Sequence, residues 1–485
     1  MTAARPAPPL SRNRDYQLLW VGQALSLFGF HGYAIAVPLL VLAATGSAAA
    51  SGLVLGTIAA AQMVAGLPAG ALADRWHRKA IMLSCEAAQA LAAASVVAAV
   101  WFDAIHIGHL LAVAVVIGAC AALFDPAEDA SLPTVVTEEQ LPAAVSMNAV
   151  RGLLGHVAGT AVGGALFAVG RVLPFVVDAL THAVAFVALS FVRLPRPAPV
   201  PRERRHLGRE IAEGVAWVWR QPAIRVTALC ALVLNLFFSA FYVVVLVLAR
   251  DGGVSAGGIG VMAAMLGVGG VVGALAAPYL NRVLRPHVSV IAVFWVLTAL
   301  TPLAAVLHGG PMLGALFFAM ALLPPTANAA VMTRQLLLTP DRLRGRLTSV
   351  LGLAMGASAA AGPAMGGLLA QALPGAGAVL VCAAGMAVAT VAVTVNRALR
   401  TISTPVVDHN PTEGKPDMDD DATYEVLRND EDQYSLWPLG HEVPAGWSRV
   451  GKEGTRDECS AYVDEVWTDM RPRSLRERMG ADTQP

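Results

Sequence analysis

Twelve apolar stretches constrain the fold of this chain more than any other feature. A membrane-spanning helix needs about 20 apolar residues. Six stretches of that length fall near residues 17–44, 51–73, 80–102, 105–125, 147–169 and 173–193. Six more fall near residues 223–249, 256–280, 287–307, 311–333, 347–371 and 375–397. Only 14% of the residues are charged, too few to cover the surface of a soluble fold of this length. The sequence therefore predicts an all-α membrane protein with twelve transmembrane helices in two six-helix halves.

Charged and polar segments separate the predicted domains. The segment from Arg193 to Pro222 is too rich in arginine to cross hydrocarbon, and we predict a surface loop with an amphipathic helix over residues 208–220. The polar, proline-containing segment after the last span is predicted to be a flexible linker. The predicted parts are an N-terminus at 1–15, the first half at 16–193, the central loop at 194–222, the second half at 223–399, the linker at 400–417 and a small domain at 418–485.

The distribution of lysine and arginine predicts the orientation of the spans. These residues are concentrated in the N-terminus, the central loop and the loops near 74–79, 281–285 and 334–346, whereas the alternate loops contain few of them. By the positive-inside rule both termini are then cytoplasmic, as expected for a multi-pass protein of the cell inner (plasma) membrane. The net charge is zero, so no basic face indicates a nucleic-acid partner.

Nothing in the sequence indicates catalysis or metal binding. The five cysteines are scattered, mostly through apolar runs, and we interpret them as packing residues rather than as disulfides or metal ligands. The sequence contains no recognisable phosphate-binding loop, nucleophile–base pair or metal cluster, so we expect neither enzyme activity nor a cofactor. A proton gradient is then the expected energy source.

Short motifs recur in the two halves. The segment that closes the second span, from Leu67 to Lys79, has a weaker copy from Gly273 to Arg285. A glycine motif in the fifth span has a copy in the eleventh. Its members are Gly159, Gly163 and Gly164, and then Gly362, Pro363, Gly366 and Gly367. Two similar halves related by an axis along the membrane normal are the architecture of a transporter whose substrate binds near the midplane between them.

Residues 16–397 resemble the major facilitator superfamily. The resemblance rests on the segment that closes the second span, which is similar to the family's signature loop except that His77 replaces a glycine. The runs 125–127 and 340–346 are similar to the branch that contains the enterobactin exporter. The resemblance implies the major facilitator fold and a cytoplasmic latch that holds that side closed, in which Asp74 caps the eleventh span. The residues of this latch would be Gly70, Asp74, Arg75, Arg78, Lys79 and Asp125. The alternative is that its basic residues only fix the topology.

The glycine motif has two interpretations. Small residues at helical spacing let two helix backbones approach closely and slide, and in resembling families this segment of the fifth span is typical of antiporters. The first copy departs from the pattern, because Thr160 stands where the second copy has Pro363. Plain helix packing explains each single glycine equally well.

Ionisable residues inside spans are costly and are therefore candidates for function. Asp178 and His182 lie four residues apart, on one face of the sixth span, and could share a proton. Glu86 in the third span and Arg151 in the fifth are similar candidates for proton coupling or substrate binding. A structural, hydrogen-bonded aspartate or a misplaced span boundary would give the same pattern. His31 and His156 are interpreted as pore-lining or packed histidines.

The last domain has the pattern of a small α+β fold. Strands are predicted at residues 424–428, 433–437 and 447–450, which would form a three-stranded antiparallel sheet. Thr455 and Glu458 form a predicted capping box, which opens a helix that continues through Trp467. With so thin a core, Trp437, Trp447 and Trp467 must supply much of the packing.

Residues 418–479 resemble the MbtH-like proteins. The resemblance rests on Asn429, Glu431, Gln433 and the run from Ser435 to Pro438, followed by the segments 444–447 and 467–472. It implies a non-catalytic partner that binds and activates the adenylation domain of a nonribosomal peptide synthetase. The tryptophans that match Trp437 and Trp447 would form a cleft for a small apolar side chain, with Ser435 and Leu436 beside it. Trp467 is interpreted as a core residue.

Together these features predict a proton-coupled antiporter that exports a nonribosomal peptide, with a siderophore as the expected class. The small domain would tether it to the synthetase that makes its cargo. One alternative is a membrane anchor for the synthetase without transport. Another is a general multidrug effluxer in which the fused domain has no consequence.

Overall fold

A computed structural model describes most of the membrane-spanning region and most of the small domain. The described residues are 9–194, 215–307, 309–339, 341–373, 375–396, 423–441, 443–444, 446–468, 472–474 and 476. The side chains of some helical residues, among them Asp74 and Arg75, also lie outside the described part. The predicted linker and most of the predicted amphipathic helix fall outside it as well. The chain divides into two compact units, Met1–Pro405 and Val406–Pro485.

The first unit contains twelve helical segments long and apolar enough to cross a membrane, counted over the described residues, which confirms the predicted spans. Spans 1 to 6 are the helices Arg14–Thr45, Ala48–Arg75, Arg78–Trp101, Ile107–Val135, Leu141–Val169 and Leu173–Phe191. Span 1 ends where Gly46 adopts a left-handed backbone conformation with φ of 66°, which glycine takes at little cost. Ser47 then caps span 2 by accepting a hydrogen bond from the amide of Ala50. One glycine and one cap thus make the tight turn between spans 1 and 2.

The second half also contains six spans, two of which are interrupted. Spans 7, 8, 11 and 12 are the helices Pro222–Asp251, Ala256–Val283, Asp341–Ala372 and Ala376–Val395. Span 9 is the helix Pro286–Leu300 continued by the 3₁₀ turn Thr301–Ala305. Span 10 is broken into Gly310–Ala321 and Pro324–Leu338. The break follows from the sequence, because Pro324 and Pro325 have no amide N–H to donate to the preceding turn.

The two halves repeat the same helix packing. In the first half, span 1 packs on spans 5 and 6, and span 3 packs on spans 4 and 6. Their counterparts pack in the same way in the second half, with span 7 on spans 11 and 12 and span 9 on spans 10 and 12. The halves meet through spans 2 and 11 on one side and spans 5 and 8 on the other. Spans 2 and 8 are counterparts in the two halves, and so are spans 5 and 11. The two contacts between the halves are therefore equivalent, and the interface has the same repeat as the halves.

The second unit is a three-stranded antiparallel sheet with one helix, as predicted. The strands are β1 (Tyr424–Asn429), β2 (Tyr434–Pro438) and β3 (Trp447–Gly454), in the order β2–β1–β3. The helix Arg456–Val466 opens with the predicted capping box, in which both reciprocal hydrogen bonds between Thr455 and Glu458 are present. Its core contains Val426, Cys459 and Val463. The helix ends at Val466, one residue before the predicted end, and Trp467 forms its C-terminal cap.

Candidate functional site

Three of the predicted ionisable residues form one buried cluster in the first half. Nδ1 of His182 in span 6 lies 2.7 Å from Oε2 of Glu86 in span 3. Nε2 of the same ring lies 3.4 Å from Oδ1 of Asp178. The relative exposures of Glu86, Asp178 and His182 are 0%, 1% and 2%. One imidazole therefore lies between two carboxyl groups, away from lipid.

Span 1 completes this charge cluster with two polar side chains. The amide of Gln23 donates to Oε1 of Glu86 at 2.7 Å, and the hydroxyl of Ser26 lies 3.1 Å from Nδ1 of His182. Neither residue was predictable from the sequence, because a single glutamine or serine in a long apolar helix carries no distinctive pattern. Their contact with Glu86 and His182 depends on the packing of span 1 on span 6.

The charge cluster has the chemistry of a proton-binding site. An imidazole flanked by two carboxyl groups can hold a proton that moves between the three groups, and such groups titrate as a unit. Oδ1 of Asp178 is buried, and its 3.4 Å approach to Nε2 of His182 is an ionic contact without hydrogen-bond geometry.

Arg151 lies in a different pair, with a residue that the sequence analysis did not single out. Its Nη1 and Nη2 atoms donate to Oε1 and Oε2 of Glu128 at 2.7 and 2.9 Å. Both side chains are 7% exposed. The predicted fourth span ended at residue 125, which placed Glu128 outside the membrane, whereas the helix continues to Val135. Arg151 is thus held in a closed, bidentate ion pair.

Two residues of the proposed latch, Arg78 and Lys79, bind backbone carbonyls. Nη1 of Arg78 donates to the carbonyl of Ala130 in span 4 at 2.5 Å. Nζ of Lys79 donates to the carbonyls of Ser190 and Val192 at the end of span 6, at 2.7 and 2.8 Å. Asp125 is exposed, and no hydrogen bond joins it to Arg78 among the described side chains. A Cβ added to Gly70 would meet no atom within 4 Å. The side chains of Asp74 and Arg75 lie outside the described residues.

The glycine motif lies where helix backbones touch. A Cβ on Gly159 or Gly163 would collide with span 1, and a Cβ on Gly164 would lie 2.5 Å from the Cα atom of Gly260 in span 8. The second copy repeats these contacts. Gly362 and Gly366 face span 7, and Gly367 faces the backbone of Ala48 in span 2. The carbonyl of Pro363 approaches Gly52 in span 2. Each copy therefore packs on the first helix of its own half and on a helix of the opposite half.

The sheet of the second unit brings Trp437 and Trp447 to the same face. Trp437 pairs with Glu425 and Trp447 pairs with Asn429. These partners are four residues apart on β1, and side chains two or four residues apart on a strand share a face. Leu427 lies between them on the same face. Both tryptophans are half-buried. The side of the sheet that carries Trp437, Leu427 and Trp447, here called the tryptophan face, is opposite the side covered by the helix.

The register separates the remaining two predicted contact residues. Ser435 pairs with Leu427 and therefore shares the tryptophan face, whereas Leu436 pairs with Val426. Leu436 packs against the core that contains Val426, Cys459 and Val463, because neighbouring residues on a strand point to opposite faces. Trp467 also packs against this core, with its ring centroid 6.0 Å from that of Tyr434.

Comparison with family models assigns both units. Residues 4–422 match the model described as transmembrane secretion effector, a group of major facilitator transporters. Residues 413–479 match the model described as MbtH-like protein.

Individual proteins agree with both matches. The chain is 26% identical over 357 residues to the multidrug efflux pump Tap of Mycolicibacterium fortuitum, covering 70% of this chain and 85% of Tap. It is 30% identical over 60 residues to the enterobactin biosynthesis protein YbdZ of Escherichia coli strain K12, covering 12% of this chain and 83% of YbdZ. A bacterial homologue of the iron transporter ferroportin, solved in the inward-facing state, has the same fold. The two structures superpose with a TM-score of 0.63 at 17% sequence identity. The match covers 82% of this chain and 100% of the ferroportin homologue.

Proposed function

Since this chain belongs to the transmembrane secretion effector family of major facilitator transporters and carries an MbtH-like domain, we propose that it exports a nonribosomal peptide in exchange for protons. The cargo class is a siderophore, and the MbtH-like domain binds and activates the adenylation domain of the synthetase that makes it. Both termini then lie in the cytoplasm of a cell whose inner membrane holds the twelve spans.

The charge cluster of Glu86, Asp178 and His182 carries the proposal for proton coupling. Buried ionisable groups in a membrane are expensive unless they are paired, and three of them converge here with two further polar side chains. Protonation of Glu86 would weaken its ionic attraction to His182, which joins spans 3 and 6. That change can bias the equilibrium between inward- and outward-facing states.

Replacing Glu86 by glutamine tests the coupling. Glu86→Gln keeps the size and the contact with Gln23 but removes the titrating group, so secretion of the peptide product should fall at least tenfold. The measurement is the secreted and the intracellular product in a producing strain, by mass spectrometry. Glu139→Gln, at an exposed position, is the matched control and should secrete normally. Normal secretion by Glu86→Gln would refute proton coupling through this cluster, and lower total synthesis would favour the anchor hypothesis.

The tryptophan face supports the proposed role of the second unit. Trp437, Trp447, Ser435 and Leu427 share one side of the sheet, and rigid aromatic side chains bury large areas at small entropic cost. This surface suits an apolar side chain that the adenylation domain would insert.

Co-purification tests the adenylation-domain partner. Trp447→Ala in the full-length protein should reduce recovery of the adenylation domain at least tenfold, because truncation of a central aromatic anchor typically costs 2 kcal/mol or more. Val466→Ala, an exposed position on the helix, should bind normally. Full recovery with Trp447→Ala would remove this face from the interface.

The similarity to Tap favours a second candidate, a multidrug effluxer. Deletion of the gene should then sensitise cells to several chemically unrelated drugs, whereas a dedicated exporter would change only the secretion of the peptide.

A further inference from the structure

A large cavity lies inside the second half, apart from the buried charges of the first. Its volume is about 660 Å³, within the range of roughly 300–1,000 Å³ that holds drug-sized ligands. Residues of spans 7 to 11 line it. The coupling candidates and this cavity are thus in different halves of the transporter.

The lining is apolar with a few neutral polar groups. Phe238 and Phe294 provide aromatic surface, and Met355 provides a flexible side chain that adapts to different shapes. Asn235 and Asn328 add amide groups. The described residues that line the cavity include no Asp, Glu, Lys, Arg or His. A charged ligand would therefore lose its hydration without gaining a counter-ion from these residues.

The break in span 10 leaves backbone carbonyls without helical donors at residues that line the cavity. Pro324 and Pro325 cannot donate to the carbonyls one helical turn earlier, which belong to Met320 and Ala321. All four of these residues line the cavity. Carbonyls released at a helix break, where they face a cavity, are suited to accept hydrogen bonds from a ligand.

Two glycines leave space for the ligand. Gly270 in span 8 and Gly352 in span 11 both line the cavity, and a Cβ on either would meet no atom within 4 Å. A side chain added there would therefore occupy the cavity instead of displacing the fold.

We propose that this cavity binds an uncharged, amide-bearing small molecule with apolar or aromatic groups, and that it forms the cargo subsite of the transporter. The assignment of the ligand as cargo rests on the proposed export function. The charged part of any cargo lies outside this cavity, and promiscuity for uncharged compounds follows from its flexible lining.

Equilibrium binding to the full-length protein in nanodiscs tests the proposal. The probe is radiolabelled chloramphenicol, which is neutral and carries an aromatic ring, an amide and hydroxyl groups. Gly270→Leu and Gly352→Leu should each weaken its binding at least tenfold. Gly108→Leu is the control, because that glycine also has no neighbour within 4 Å and does not line the cavity. Its affinity should stay within twofold of the wild type. The cation ethidium should not displace the probe.

Several outcomes would overturn the proposal. These are undetectable binding to the wild type, equal binding to the filled variants, or displacement by ethidium. Phospholipid that co-purifies with the wild type and is lost from Gly270→Leu would identify the cavity as a lipid site. If the wild type binds the probe at this cavity but secretes no peptide, the proposed export function fails and the subsite stands.

Discussion

At the scale of single residues, the first half of the transporter is distinguished by buried charges with defined partners. Asp178 and His182 were predictable as neighbours because a four-residue spacing places them on one helix face. The contact of His182 with Glu86 requires spans 3 and 6 to pack together. Glu128 was not predictable as a partner of Arg151, because the apolar pattern ends ten residues before the helix does.

The Arg151–Glu128 pair should stabilise the fold strongly. Arg151→Gln leaves a buried carboxylate without its partner, and breaking such a pair costs about 3–5 kcal/mol. We expect a clear decrease in the apparent melting temperature of the purified protein. The double variant Arg151→Gln with Glu128→Gln should recover part of the loss, because no charge is left unpaired. Arg171→Gln, at an exposed arginine, should leave the melting temperature unchanged, and a similar decrease there would contradict the argument.

Asp432 should make the stability of the MbtH-like domain depend on pH. Its pKa is lowered by hydrogen bonding to Arg428 and by the charge of that residue, with a further contribution from Arg476 at 2.8 Å. A carboxyl with a lowered pKa stabilises the fold above its ordinary titration range, and this contribution disappears as the pH falls into the acidic range through the lowered pKa.

Thermal unfolding of residues 406–485 across that acidic range measures the effect. Asp432→Asn should flatten the pH dependence, because asparagine tolerates the left-handed backbone at this position, where φ is 59°, but does not titrate. Asp430→Asn, at an exposed neighbour in the same turn, should retain the wild-type profile. An unchanged profile for Asp432→Asn would assign the acid sensitivity elsewhere.

At the scale of helices and strands, the repeated glycine motif determines how closely the two halves approach. Gly164 touches Gly260, and Gly367 touches the start of span 2, so the same motif forms both contacts between halves. The sequence predicted small-residue packing, but it did not identify the opposing helices, since spacing along one helix carries no information about its neighbour.

A side chain at Gly164 should force spans 5 and 8 apart. A Cβ there lies 2.5 Å from the Cα atom of Gly260 and 2.7 Å from the carbonyl oxygen of Ala256, and overpacking of this kind costs about 1–3 kcal/mol. Gly164→Leu should therefore lower both the melting temperature and the rate of export. Gly152→Leu lies in the same span with no atom within 4 Å and should do neither. Wild-type export by Gly164→Leu would show that this approach is dispensable.

At the scale of the whole molecule, the number of spans determines on which side of the membrane the MbtH-like domain lies. In the proposed function, twelve crossings return the chain to the side on which it began, and the positive-inside rule predicts that this side is the cytoplasm. An adenylation domain is cytoplasmic in the proposed function, so the MbtH-like domain must be in the same compartment.

Reporter fusions check this orientation. Green fluorescent protein fused after Pro485 should fluoresce, and alkaline phosphatase at the same position should be inactive. A fusion in the predicted outer loop near residues 307–311 should give the opposite pair of results. Phosphatase activity at Pro485 would exclude binding of a cytoplasmic synthetase.

The sequence by itself determined the features that depend on residues close together in the chain. These are the number and order of the spans, the three strands and the capping box of Thr455, because each follows from hydrophobic period or cap chemistry within a few residues. The tertiary structure alone decided which distant groups meet. It placed Glu86 against His182, paired Glu128 with Arg151, packed Leu436 against the core of the small domain and opened the cavity in the second half. Such contacts depend on helix packing and strand register, which join residues that are far apart in the chain.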